Sequence, residues 1–273
     1  MSGETVRIAV VADIHHGPDR GTQKGSDALH RLAQFKGFVA YEEPDAVVDL
    51  GDRVSAQDPV EDRAGEAEVA AVFARMEVPV HHICGNNDVR HLSVADNEAL
   101  LGQSLAHEVA DYGGWRLVLW RADARSRDGY FLPPSDIAWL AEVVEAADRP
   151  VAVMCHLPVS GHRLATNYHF ESRPEAATYA EAQQVREVLA AARVPLVVVS
   201  GHVHWNSLTV LSGQPHITLQ SLTETFTTAP VSAGAYGMLT LSEQLIGWRV
   251  FGEDPFAVEL GTAATAHRWL KPE

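Results

Sequence analysis

The alternation of apolar and polar positions divides the chain into short buried runs separated by helical or polar stretches. "VRIAVVA" (6–12) is apolar and rich in β-branched residues, which predicts a buried strand. Over 27–41, Leu29, Leu32, Phe35, Phe38 and Val39 recur at helical spacing, and "DAVVDL" (45–50) is the next strand. An Ala/Glu-rich helix is predicted over 60–76 and a third strand at "VPVHHIC" (78–84). "AHEVADYGGWRLVLW" (106–120) predicts two strands joined by a Gly-Gly turn after Tyr112. Ser135 is the expected N-cap of a helix running through Ala147. A strand at "PVAVMC" (150–155), a long helix over 175–192 and a strand at "VPLVVVS" (194–200) follow. After Ser200 the pattern is strand only: "NSLTVLS", "PHITLQS", "AYGMLTLS" and "QLIGWRVF". Strand and helix alternate through the first two thirds, and strands alone supply the rest. That predicts α/β layers with mixed sheets in one domain, residues 1–273 with a core over about 6–251.

Composition narrows the class. With 46% hydrophobic and 21% charged residues the chain is an ordinary globular one. No run reaches the roughly 18 apolar residues of a membrane helix, and no signal-peptide pattern opens the chain. Two cysteines, Cys84 and Cys155, exclude a disulfide framework, so the expected setting is cytoplasmic. Both thiols precede candidate site motifs and are read as small buried hydrophobes at strand ends. A net charge of −15 with no basic stripe disfavours a nucleic acid polymer as partner. The late strands, 235–251, offer an edge through which a homodimer could form.

The candidate chemistry lies at strand ends. The first strand runs into Asp13-Ile14-His15, the second into Gly51-Asp52, the third into Gly85-Asn86-Asn87-Asp88. A fourth ends in His156 and a fifth in Gly201-His202-Val203-His204. In α/β sheets ligands bind outside the carboxyl ends of the strands, so one rim would receive two carboxylates, a carboxamide and four imidazoles. Each motif alone is weak. Five in this order, each behind a predicted strand, form a specific combination. Carboxylate, imidazole and carboxamide donors together suit Mn, Fe, Zn or Co better than Ca. Seven donors are too many for one such ion and suit two with a bridging carboxylate. Two ions about 3.5–4 Å apart clamp the attacking and leaving oxygens of a phosphoryl displacement and make hydroxide available near neutral pH.

The order D-x-H, G-D, G-N-x-D, H, G-H-x-H resembles the calcineurin-like metallophosphoesterases, and the single-domain layout resembles their bacterial cyclic-nucleotide phosphodiesterase branch. The resemblance implies a four-layer α/β/β/α sandwich with two mixed sheets and the metals at the sheet mouths. Carried over by position, one metal would be held by Asp13, His15, Asp52 and His204. The other would be held by Asp52, Asn86, His156 and His202, with Asp52 as the bridge. The implied activity is hydrolysis of a small phosphodiester or nucleotide by attack of a bridging hydroxide. A phosphomonoesterase on the same site is the first alternative, and a non-catalytic binding protein on the same fold the second.

Asn87 departs from the family pattern, which usually has His there to contact phosphate and assist the leaving group. Asn can donate a hydrogen bond but cannot supply a proton near neutral pH. Either the leaving group is a good one or another residue donates. Asp88 is expected to orient Asn87 or cap the next turn. His16 and His91 are candidate substitutes for the acid, with Arg90 beside His91. The polar segment after His156 is read as a lid whose His162, Arg163, His169 and Arg173 contact substrate. Arg20 and Lys24 are weaker candidates for such contacts. His81 and His82 lie inside a strand, one of them expected to face the core.

Overall fold

The computed structural model describes residues 5–122, 129–161 and 164–262. His162, Arg163 and nearly all of the C-terminal "TAATAHRWLKPE" lie outside the described residues. Two six-stranded sheets are built in this order along the chain. The first takes β1 (Val6–Val11), β2 (Ala46–Asp49) and β3 (Val80–His82), then β10 (Tyr236–Leu241), β11 (Leu245–Phe251) and β12 (Phe256–Gly261), in the order β12-β11-β10-β1-β2-β3. The second takes β4 (Glu108–Tyr112), β5 (Trp115–Leu119), β6 (Val151–Cys155), β7 (Leu196–Ser200), β8 (Ser207–Leu211) and β9 (Gln214–Thr218), in the order β4-β5-β6-β7-β9-β8. Within them β1-β2-β3 and β5-β6-β7-β9 are parallel and the other neighbours antiparallel, so both sheets are mixed.

Side-chain alternation along the strands sets the layers. Ile8, Val10 and Ala12 share one buried cluster with Leu117, Leu119, Met154, Val197 and Val199, so the sheets pack face to face there. Ala9 and Val11 point the other way, against α1 (Ala28–Glu42) and α2 (Pro59–Phe73) through Leu32, Phe35 and Val69. Val118, Val153 and Val198 likewise pack on α4 (Pro134–Glu145) and α5 (Ala182–Ala190) through Leu140, Val185 and Leu189. The result is the expected helix–sheet–sheet–helix sandwich. Parallel strands covered on both faces need near-continuous apolar sequence, which is why β1, β2, β6 and β7 were legible.

Several elements differ from expectation. The last helix does not run over 175–192. A 3-10 turn at Pro174–Ala177 is followed by extended Thr178, whose hydroxyl donates to Pro158 O at 2.7 Å, and Ala180 N donates to Tyr130 O at 2.8 Å. These outside partners satisfy the backbone, so helix resumes only at α5. α4 begins at Pro134 behind Pro133, not at a Ser135 cap, because proline is already set for the first helical turn. α3 (Val94–Leu101) carries no strong apolar stripe; a Ser93/Asp96 capping box starts it and Gly102 ends it. β12 pairs along β11, so the strands at 235–251 are interior and β12 forms that edge. His81 and His82 are both buried. Their rings meet the Tyr112 hydroxyl at 2.7 Å and Asp49 at 3.0 Å.

Candidate metal centre

The loops leaving β1, β2, β3, β6 and β7 converge at one rim. Asp13 N donates to Gly51 O and His15 N to Asp52 O, both at 2.9 Å, which extends the β1–β2 pairing into the loops. Asp13, His15, Asp52, His202 and His204 all have left-handed backbone, with φ between 48° and 68°. Such conformations cost of order 1–3 kcal/mol each and cluster at functional sites. The chain also comes unusually close to itself. A Cβ on Gly201 would lie 2.6 Å from Asp13 Oδ2, and one on Gly85 would overlap the Asp52 carboxylate. Glycine at these two motif positions is what lets the turns meet.

Two sets of donors result. The ligand atoms of Asp13, His15 and His204 lie within 4.8 Å of one another, as do those of Asp52, His156 and His202. Asp52 stands between the sets: Oδ2 is 3.7 Å from His15 Nε2 and Oδ1 is 3.6 Å from His156 Nε2. Asn86 Oδ1 is 3.2 Å from His156 Nε2. All are buried except Asn86, which is half-buried.

The remaining ring nitrogens are held from behind. His156 Nδ1 donates to Leu50 O and His202 Nε2 to Ala176 O, each at 2.9 Å. A carbonyl only accepts, so His156 Nε2 and His202 Nδ1 are left as lone-pair donors. His204 Nδ1 meets Glu224 Oε2 at 3.0 Å, the carboxylate–histidine arrangement that orients metal-binding imidazoles. These partners fit a cation in each set. Two further facts agree with that. Asp13 Oδ1 is buried without a hydrogen-bond partner, and His15 Nε2 and His204 Nε2 approach to 2.9 Å. An unfilled buried acceptor is costly unless something positive meets it.

Burial and neighbouring charges set the protonation of these groups. Burial pushes the Asp52 carboxyl up to about 6, against the pull of His156 and with the push of Asp88 and Asp13. Burial holds His15 and His202 at about 3, so both rings are neutral donors. Burial would lower His204 too, but Asp13 and then Glu224 raise it to about 10. Burial would raise the Asp13 carboxyl, yet the His204 charge holds it well below the usual carboxylate range.

Asp88 turns away from Asn87. Its oxygens accept from the amides of Asp52 at 2.9 Å, Arg53 at 2.7 Å and Gly85 at 2.8 Å. Arg53, fully buried, pairs with Asp88 at 3.2 Å, Asp49 at 2.7 Å and Glu66 at 2.5 Å. This charged knot fixes the second and third motif loops against each other. The Asn87 amide donates to Asp52 Oδ2 at 2.6 Å.

A cleft of about 490 Å³ opens over the donors. His169 and Arg173 from the loop after β6 line it, as do Asn87 and Arg90. His16 and His91 do not line it: their rings bond Glu68 at 2.6 Å and Asp62 at 2.7 Å on α2. Arg20 lines the cleft, whereas Lys24 pairs with Asp19 at 3.1 Å. Sequence reading missed Glu224 and Tyr130. Glu224 follows β9, which is parallel to β7; the strand-end rule applied to "PHITLQS" would have pointed toward it. Nothing in the local sequence marks Tyr130, which reaches the rim through the bridge between residues 130 and 179.

A family model described as Calcineurin-like phosphoesterase matches residues 6–206. No curated protein matches the chain. Among solved structures, a dimetal phosphatase from Danio rerio superposes with a TM-score of 0.74 at 17% identity, covering 92% of this chain and 98% of that one. The purple acid phosphatase PPD1 from yellow lupin seeds gives a TM-score of 0.68 at 13% identity, over 93% of this chain and 54% of that one. GAP50, described as the anchor in the inner membrane complex of Plasmodium, gives 0.60 at 16%, over 94% and 89%. At these identities the likeness is one of fold.

Proposed function

The chain belongs to the calcineurin-like phosphoesterases, and from that premise we propose that it is a dinuclear-metal phosphodiesterase acting on a small phosphodiester or nucleotide. The observation that carries this reading is Asp52, whose two oxygens each face a different donor set at 3.6–3.7 Å, as a shared carboxylate would. One ion would be held by Asp13, His15, Asp52 and His204, the other by Asp52, Asn86, His156 and His202. The donor mix suits manganese or iron, with zinc and cobalt as alternatives. When bound, such ions supply Lewis acidity toward a phosphoryl oxygen and hydroxide near neutral pH.

The chain's own residues do the rest. Asn87, at the edge of Asp52, offers an amide N–H to a phosphoryl oxygen but no transferable proton. His202 stays neutral, and both His202 and His156 are fixed by their carbonyl partners. Glu224 holds His204 and, at 3.0 Å, the His169 ring. His169, Arg90 and Arg173 meet the substrate at the cleft wall. His162 and Arg163, a few residues earlier, belong to the same substrate-contacting loop in this reading. The two free thiols suit a cytoplasmic setting.

A phosphomonoesterase on the same site is the runner-up, because arginines at the rim would also suit a dianionic phosphate. A binding role without catalysis would leave seven polar donors without a task in the interior, at a cost. The test is elemental analysis with turnover of bis-p-nitrophenyl phosphate and p-nitrophenyl phosphate side by side, for wild type and Asn87→His. Two equivalents of transition metal, faster diester turnover, and a gain for Asn87→His on poorer leaving groups are expected. Absence of both metal and turnover would overturn the enzyme reading.

A further inference from the structure

Three arginines from three separate loops stand around the mouth of the cleft: Arg20 after β1, Arg90 after the β3 motif and Arg173 from the loop after β6. Basic side chains elsewhere are commonly paired, as Arg31 is with Glu253, Arg116 with Asp111 and Arg121 with Glu108. The guanidinium groups of Arg90 and Arg173, by contrast, have neither hydrogen bond nor ion pair among the described residues, on a chain of net charge −15. Arg20 is anchored through Nη1 to Ser55 O at 3.1 Å, which aims the guanidinium without neutralising it. Tyr130 lines the cleft as well, its ring 5.5 Å from that of His202. Positive charge left unpaired beside a metal-binding floor implies an anionic group on the substrate beyond the one held at the floor.

Among the described residues, the wall near Asp52 offers no imidazole beyond the metal-binding set as a proton donor. Asn87 is an amide, and His16 and His91 face α2. His169, the remaining ring, is tied to Glu224 on the His204 side of the cleft. A leaving group that departs as a stable anion suits such a wall. A phosphate monoester, with a second pKa of about 6, does so readily. An alkoxide does not.

Building on the phosphoesterase reading, we propose that the substrate is a disubstituted diphosphate, with Arg90, Arg173 and Arg20 holding the phosphate that leaves. Water adds its oxygen to the phosphorus at the floor, and the P–O bond to the bridging oxygen breaks. That electron pair stays on the departing phosphate, and the water protons pass to solvent and product. No acid is required, and the charge that develops on the leaving phosphate lies where the guanidinium groups are.

The test uses the metal-loaded full chain and the exposed-site variant Arg90→Gln/Arg173→Gln. One arm compares kcat/KM on diadenosine 5′,5′-diphosphate with that on bis-p-nitrophenyl phosphate, which has no second phosphate. The ratio should fall by about tenfold or more in the variant, the scale of losing charge-assisted bonds. The second arm measures calorimetric binding of adenosine 5′-(α,β-methylene)diphosphate against adenosine 5′-monophosphate. Wild type should prefer the diphosphate by about tenfold and the variant should lose that preference. An unchanged ratio, or a wild type that cleaves the nitrophenyl diester but not the diphosphate, overturns the proposal and leaves the phosphoesterase reading standing. If no ester is cleaved, that reading fails instead, and the binding arm still decides whether the arginines select a diphosphate.

Discussion

At the scale of single residues, Asp88 shows how a motif position can be legible while its work is not. The spacing G-N-N-D placed it at the rim, and orientation of Asn87 or capping of the next turn was the expectation. Its oxygens instead gather the amides of Asp52, Arg53 and Gly85 and the Arg53 guanidinium. Asp52 and Arg53 come from another loop, 35 residues earlier for Arg53, and no local pattern announces such a contact. Asp88→Asn keeps the shape but removes the charge opposite a buried arginine. It should cost about 3–5 kcal/mol in urea unfolding, and weaken metal binding about tenfold or more in a chelator competition. Unchanged metal affinity with the same loss of stability would show that the knot supports the fold alone. The seven rim donors were legible for a simpler reason. Each follows its strand within a few residues, and strand ends are fixed by the pattern of apolar runs.

At the scale of elements, the buried strands were read correctly where both faces are covered, and the exceptions have physical causes. The stretch 175–192 has helical composition, yet Thr178 and Ala180 find backbone partners on neighbouring loops and interrupt the helix. α3 is too short for periodicity to reveal it, and β12 is half-exposed at an edge. β9 gives an element-scale prediction. It lies between β7 and β8, buried along its length, and carries His216. Burial, with the Arg186 charge from α5, lowers His216 to about 4. Its folded pKa lies below its unfolded value, so the unfolded chain takes up the proton first as pH falls. The stability contributed by neutral His216 is whole above about 6.5 and is lost between there and about 4. Urea midpoints measured from pH 7 to pH 4.5 should fall more for wild type than for His216→Gln, by a few kcal/mol at most. Parallel curves would refute this.

At the scale of the molecule, two mixed sheets packed face to face bring loops from β1, β2 and β3 opposite loops from β6 and β7. Neither sheet alone holds a complete donor set: His15 and Asp13 need His204, and Asp52 needs His156 and His202. The sandwich is thus the device that assembles the site, and five left-handed residues at its seam carry the strain. Sequence could order the motifs and point to Arg173, with Arg20 a weaker candidate, but it left out Tyr130 and Glu224, which arrive from loops without a repeating pattern. The central claim is that this seam holds two ions sharing Asp52. Anomalous diffraction from crystals grown with manganese tests it most directly. Two peaks are predicted, one among Asp13, His15 and His204, the other among Asn86, His156 and His202, both in contact with Asp52. A single peak, or one seated at His169 and Glu224 away from Asp52, would contradict it.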